Sequence, residues 1–89
     1  MMTDTWEREV DELSESIANE SSAGVVRKQL TDGLLALEVT PDNRQSRRIS
    51  VVSSPYEVIV MIGRKRHELG PLPESRLEVL QILKAALSD

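Results

Sequence analysis

The segment Tyr56–Ile62, YEVIVMI, constrains the fold more than any other part of the chain. In an extended strand, successive side chains point to opposite faces of the sheet. One face of this strand would carry Tyr56, Val58, Val60 and Ile62, and the other would carry Glu57, Ile59 and Met61. A strand that is apolar on both faces is expected at the centre of a sheet that is covered on both sides.

Helical periodicity marks the two ends of the chain. Residues 4–20 predict an N-terminal helix in which one narrow apolar stripe interrupts an otherwise polar surface. That stripe consists of Trp6, Val10, Leu13 and Ile17. Residues 74–88 predict a C-terminal helix with a broader apolar arc, which we expect to be the main core helix. Its apolar residues are Val79, Leu80, Ile82, Leu83, Ala86 and Leu87.

Between the helices the apolar period changes to that of strands. Residues 25–30 and 34–40 flank Thr31-Asp32-Gly33, which predicts a hairpin. Residues 41–47 read as a loop, and residues 48–54 predict a third strand. After YEVIVMI, the turn Gly63-Arg64-Lys65 precedes a short possible fifth strand, RHEL. The sequence therefore predicts a single α-β-β-β-β-(β)-α domain over residues 1–89. Its fold class is α+β, with a four- to five-stranded antiparallel sheet flanked by an N-terminal and a C-terminal helix.

Composition and the N-terminal sequence indicate the cellular compartment of the protein. A chain of 89 residues buries only a modest core, and the absence of cysteine excludes disulfides and thiolate metal ligands. The acidic N-terminus lacks the pattern of a signal peptide, and no apolar stretch reaches the ~20 residues that span a bilayer. We therefore expect a cytoplasmic protein without a membrane-spanning segment.

The position of the N-terminal helix decides which surface is free. If this helix covers the second sheet face, the domain is closed in three layers. If it packs beside the C-terminal helix, that face stays open and is available to a second copy of the chain or to another protein. The candidate protein interface on this face consists of Leu34, Ala36, Val52, Ile59 and Met61.

Charge is unevenly distributed along the chain, whose net charge is −4. Residues 1–22 hold seven acidic residues against Arg8, and residues 23–70 hold eight basic residues against five acidic ones. The candidate anionic face of the first helix consists of Glu7, Asp11, Glu12 and Glu15. A candidate basic edge, formed if the third and fourth strands pair antiparallel, consists of Arg44, Arg47, Arg48, Arg64, Lys65 and Arg66.

Signatures of catalysis are missing from the sequence. His67 is the only histidine, so no histidine or cysteine cluster exists for a metal, and we expect His67 to be a surface residue of a basic turn. Phosphate-binding glycine motifs and nucleophile motifs are also absent. We therefore expect no enzymatic activity, no cofactor and no metal.

Two functions fit this profile. The first is a non-enzymatic protein-interaction domain, dimeric, that binds and occludes a partner protein as immunity proteins and secretion chaperones do; this is an analogy of fold and size. The alternative is a nucleic-acid-associated regulatory protein that uses the basic edge. The edge lacks interleaved aromatic residues, and the acidic helix would repel the same ligand, so the sequence favours the first function.

Overall fold

A computed structural model describes residues 2–21, 23–31, 33–40 and 48–87. The elements, in chain order, are α1 (Met2–Ser21), β1 (Gly24–Thr31), β2 (Leu34–Thr40), β3 (Ile49–Ser53), β4 (Val58–Ile62), β5 (Lys65–Leu69) and α2 (Arg76–Leu87). This confirms the α+β class, the antiparallel sheet and the two terminal helices. The short RHEL segment belongs to a fifth strand.

The five strands form a meander in the order β1-β2-β3-β4-β5, with every neighbouring pair antiparallel. The expectation that the YEVIVMI strand is central is wrong, because β3 holds the centre and β4 lies between β3 and β5. Pairing on both edges is enough to make β4 an inner strand. A central position in the sheet therefore does not explain why the second face of β4 is apolar.

Two of the connections between neighbouring strands are short, and each contains a glycine in the left-handed conformation. Ile62 pairs with Lys65, so Gly63 and Arg64 alone connect β4 to β5. Gly63 has φ 59°, and Gly33 after β1 has φ 82°; this left-handed region is unstrained for glycine alone. Gly33 and Gly63 therefore each lie where the chain reverses between paired strands, whereas Asp32 of the predicted first turn lies outside the described residues.

The turn between β3 and β4 is longer than predicted and excludes Tyr56 from the strand. Ser54 Oγ accepts hydrogen bonds from the backbone N–H groups of Tyr56 (3.1 Å) and Glu57 (3.2 Å). The Ser54 N–H donates to the Glu57 carbonyl at 3.0 Å. A serine hydroxyl that satisfies two successive amides holds a turn. Tyr56 is consequently 83% exposed instead of lying on the Val58 face.

Both helices pack on one face of the sheet, and the core lies between them. The strand residues of this core are Leu35, Leu37, Val39, Ile49, Val51, Val58 and Val60. From α1 it includes the whole predicted stripe Trp6, Val10, Leu13 and Ile17, and from α2 it includes Val79, Leu83 and Ala86. The second of the two predicted arrangements is therefore present, with α1 beside α2.

α2, which we expected to be the main core helix, shares the core with α1. All four stripe residues of α1 are at most 7% exposed, whereas Leu80, Ile82 and Leu87 of α2 are only partly buried. α2 also begins two residues later than predicted. Residues 72–75 form a turn, and the Val79 N–H donates to the Ser75 carbonyl at 3.0 Å, while the buried Ser75 Oγ has no hydrogen-bond partner among the described residues. A narrow stripe is enough for full burial when the helix lies in the groove between sheet and neighbouring helix.

Candidate protein-interaction surface

The sheet face opposite the helices is uncovered, and we call it the open face. Strand alternation and register assign it the following side chains: Val26, Lys28, Leu34, Ala36, Glu38, Ser50, Val52, Ile59, Met61, Arg66 and Glu68. Every strand contributes to it, because the same alternation that sends Val58 and Val60 into the core sends Ile59 outward. The open face is therefore a direct product of the strand pattern.

Cross-strand pairing arranges most of the open face in two rows. The first row, here row one, crosses the sheet as Lys28, Ala36, Val52, Ile59 and Glu68. The second row, row two, crosses it as Val26, Glu38, Ser50, Met61 and Arg66. Directly paired residues have Cβ atoms about 5 Å apart. Row one is therefore a continuous apolar strip with a cation at the β1 end and an anion at the β5 end.

All five residues of the predicted protein interface lie on the open face. Met61 is 37% exposed, and Leu34, Val52 and Ile59 are half-buried. Ala36 is only 6% exposed because its methyl group lies lower than the longer side chains beside it. The structure thus brings the predicted residues together on one surface, with Ala36 as its recessed floor.

Two further exposed apolar side chains on β1 were not predicted. Val26 is 52% exposed on the open face, and Leu30, beside an irregularity in the β1–β2 pairing, is 51% exposed. The alternation within VVRKQL could have identified Val26, since it lies one residue from the inward-facing Val25. Leu30 carries no such signal, because the register shift between Gln29 and Thr31 interrupts the alternation.

Ion pairs lie at both edges of the open face. Lys28 Nζ is 3.4 Å from Glu38 Oε2 between β1 and β2, and Arg66 Nε is 3.9 Å from Glu68 Oε2 within β5. The four side chains are between 52% and 64% exposed, so each pair contributes little to folding. An apolar centre with a charged rim is the usual layout of a protein interface.

The predicted anionic face of α1 is partly occupied within the chain. Asp11 Oδ1 lies 3.2 Å from Arg27 Nε on β1, and Glu7 Oε2 lies 4.0 Å from Arg27 Nη2. On the other flank, Glu12 Oε2 accepts a hydrogen bond from Arg76 Nη1 of α2 at 3.3 Å. Glu15 is exposed. Three of the four predicted acidic residues therefore join α1 to its neighbours, which weakens the view that they await an external ligand.

The predicted basic edge is formed in part. The Gly63 N–H donates to the Arg48 carbonyl at 2.8 Å, and Ile49 pairs with Ile62, so the start of β3 lies beside the β4–β5 turn. Arg48, Arg64 and Lys65 are exposed there, whereas Arg66 belongs to the rim of the open face. Arg44 and Arg47 lie outside the described residues.

A metal-binding group and a membrane-spanning helix are both missing from the described ranges. Among residues 2–21, 23–31, 33–40 and 48–87, no group of three or more His, Asp or Glu side chains is arranged to hold a metal ion. His67, expected as a surface residue of a basic turn, lies instead half-buried within β5, because it pairs with the buried Val60 on the side of the sheet that faces the core. In the same part of the chain, neither helix has the length and hydropathy needed to cross a bilayer.

Comparison with known proteins identifies no relative. No protein-family model, no curated protein and no solved structure matches this chain. The residues of the open face and of the edges around it are therefore the features that bear on function.

Proposed function

We propose that this protein is a non-enzymatic protein-interaction domain that uses the open face of its sheet to cover an apolar surface of another polypeptide. The observation that supports the proposal is the burial pattern of β4. Val58 and Val60 are fully buried, while Ile59 and Met61 between and beside them face away from both helices. A strand that is apolar on both faces but covered on one is typical of a protein whose second face is covered by a partner.

The make-up of the face favours a protein partner over a small molecule. Its centre consists of aliphatic side chains, including Val52 and Ile59, that lie side by side across the sheet, whereas small-molecule sites are clefts with a few convergent polar groups. Its rim carries both positive and negative charge. Rim charges set the orientation of a partner and select against wrong ones, whereas the apolar centre supplies the driving force.

The mechanism we propose is occlusion. Covering Ile59, Met61 and their neighbours removes an equal apolar surface of the partner from water, and so keeps that surface from its other contacts. Immunity proteins and secretion chaperones work in this way, and we place this chain with them by analogy alone. The absence of cysteine from all 89 residues fits a reducing compartment, so we propose that the interaction takes place in the cytoplasm.

Glutamate substitutions on the open face test the proposal. Ile59→Glu and Met61→Glu place a charge in the centre of the surface, and we expect each to abolish the complex that the wild-type chain forms in its source cells. The measurement is co-purification of the tagged full chain, with circular dichroism to confirm folding. Leu77→Glu is the matched control, since Leu77 is 72% exposed on α2, away from the open face. Folded Ile59→Glu and Met61→Glu variants that retain every wild-type partner and the wild-type assembly state would refute the proposal.

A second function, binding of nucleic acid by the basic edge, is favoured by one observation. The 2.8 Å hydrogen bond from the Gly63 N–H to the Arg48 carbonyl brings Arg48, just before β3, beside Arg64 of the β4–β5 turn. The test is binding of DNA and RNA at low salt, where phosphate contacts are strongest. Binding that is lost in Arg48→Glu/Arg64→Glu but kept in Ile59→Glu would support this function, and the absence of binding at low salt would exclude it.

A further inference from the structure

We infer that the occupant of the open face is a second copy of this chain, docked face to face with β1 of each protomer over β5 of the other. The inference rests on the proposed function, because it names the partner for the same surface. What carries it is the order of side chains in row one. That row begins with Lys28, crosses three apolar residues and ends with Glu68.

A two-fold axis that runs parallel to β3, between the two sheets, makes this row complementary to itself. Such an axis exchanges β1 with β5 and β2 with β4, and leaves β3 facing β3. Lys28 of one protomer then lies opposite Glu68 of the second copy, and the symmetry repeats the contact at the other edge. A surface that meets its own copy must be complementary in this way, and opposite charge at the two ends of the row satisfies the requirement.

Side-chain size along row one follows the same symmetry. Ala36, the recessed residue on β2, lies opposite Ile59 of the second copy, and Val52 lies opposite Val52. Small residues facing large ones allow two apolar layers to interdigitate. In row two, Glu38 comes to lie over Met61 of the second copy, beside Arg66, which pairs with Met61 across the strands. Val26 likewise lies over Arg66 of the second copy, so row two adds no directly opposed charges of opposite sign.

The alternative two-fold arrangements are less favourable. An axis that runs along row one also brings the apolar strip onto itself, but it places Lys28 over Lys28 and Glu68 over Glu68. Like charges directly opposed across an interface are destabilising. An axis midway between the rows places Arg66 over Glu68 and Met61 over Ile59, but it sets Glu38 over Ala36 and Ser50 over Val52, so the apolar strip no longer meets itself. Of the three axes, only the one parallel to β3 lays the apolar strip of row one on itself with opposite charges at both ends.

The size of the face determines how strong the dimer is. Five strands at ~4.8 Å spacing and about five residues at ~3.3 Å rise give a face of roughly 24 by 17 Å, or about 400 Å². Stable complexes bury about 800 Å² on each partner. We therefore expect a dimer that dissociates on dilution, and one whose affinity depends measurably on the charged rim.

Charge reversal tests the arrangement. Lys28→Glu and Glu68→Lys each replace both symmetric attractions by repulsions, and we expect each to weaken the dimer roughly tenfold or more. Combining both changes in one chain, or mixing the two single variants, restores opposite charges across the interface and should restore association. The measurement is sedimentation velocity of the full chain from micromolar to millimolar concentration. Raising the salt concentration should weaken the wild-type dimer.

Matched controls separate this contact from nonspecific charge effects. Arg64→Glu and Glu57→Lys make the same charge changes at exposed turn positions outside the open face, and they should leave the dimer unchanged. If Lys28→Glu lowers thermal stability, Lys28→Gln provides the same test without a new charge beside Glu38.

The outcomes distinguish this inference from the proposed function. A dimer lost in Ile59→Glu but insensitive to the Lys28 and Glu68 variants, or not rescued by combining them, would overturn the arrangement and leave the open face as the interface. A monomer at every concentration would overturn the second copy as occupant, while loss of another partner in Ile59→Glu would still support the proposed function. A dimer unaffected by Ile59→Glu would overturn the second copy as occupant, and if this variant also retained every other partner, it would contradict both.

Discussion

The indole Nε1–H of Trp6 donates a 2.9 Å hydrogen bond to Ser53 Oγ, and this buried bond joins the first turns of α1 to the last residue of β3. Ser53 Oγ in turn donates to the Ser54 carbonyl at 3.1 Å. Trp6 and Ser53 are 7% and 2% exposed. The only tryptophan of the chain is thus held by a polar contact between elements 47 positions apart in the sequence.

Removing the acceptor of this bond should destabilise the fold. Ser53→Ala leaves the Trp6 N–H buried without a partner, which costs ~1–3 kcal/mol. For a domain of this size each kcal/mol lowers the melting temperature by about 4–8 °C. Thermal unfolding followed by Trp6 fluorescence measures the loss.

The donor variant provides the control for this bond. Trp6→Phe removes the N–H, so adding Ser53→Ala to it should cost less than Ser53→Ala costs in the wild-type chain. Because the tryptophan is gone, the comparison uses circular dichroism for all four proteins. Additive effects of the two substitutions would show that the hydrogen bond makes no contribution of its own.

The stripe of α1 should be critical for stability. Leu13 is 0% exposed, and Leu13→Ala removes its methyl groups from the centre of the core, so we expect a loss of about 2–5 kcal/mol. That is a large part of the ~5–15 kcal/mol that stabilises a typical domain. Urea unfolding measures it. Leu77→Ala is the control, since Leu77 is 72% exposed and its truncation should change stability little. Equal effects of the two substitutions would contradict the burial of the stripe.

Gly63 should resist substitution for a conformational reason alone. An added Cβ would meet no atom within 4 Å, but the φ of 59° is disfavoured for other residues by roughly 1–2 kcal/mol. We expect Gly63→Val to lower stability by at least that amount and Gly63→Asn by less, because asparagine tolerates the left-handed region. Gly70→Ala is the control, because Gly70 has an ordinary φ and open space around it. Equal stability of the Gly63→Val and Gly70→Ala proteins in urea unfolding would refute this account.

The ion pairs of α1 should matter little for folding. The Asp11 and Arg27 side chains are 56% and 42% exposed, so Asp11→Asn should cost a few tenths of a kcal/mol and less at high salt. Thermal melts at low and high salt measure this. If Asp11→Asn instead abolishes partner binding without changing stability, the anionic face of α1 is part of the interface, as the sequence first indicated.

Local patterns in the sequence account for the elements and for most of the core. The four-residue stripe of α1 follows from helical period, and the buried residues Val58 and Val60 follow from strand alternation. Both periods are set by backbone geometry alone, so the buried positions can be predicted without knowing which residues are in contact. The five predicted interface residues share one face for the same reason.

Predictions that depended on specific contacts failed. Tyr56 is outside β4 because the Ser54 hydroxyl accepts the hydrogen bonds of the Tyr56 and Glu57 amides. The alternation of apolar residues does not reveal which hydrogen-bond partner an amide takes. β4 is not the central strand, because strand order depends on the whole meander and not on the composition of one strand.

The periodicities of the chain established two amphipathic helices and a sheet with two partly apolar faces, but they left open which face the helices would cover. The packing of α1 beside α2 determined which face is covered. α1 lies in the groove beside α2, where Arg27 and Arg76 meet its acidic residues on either flank and Ser53 meets Trp6. Both helices cover the face that carries Leu35, Leu37, Val51, Val58 and Val60, and the open face is the surface that remains.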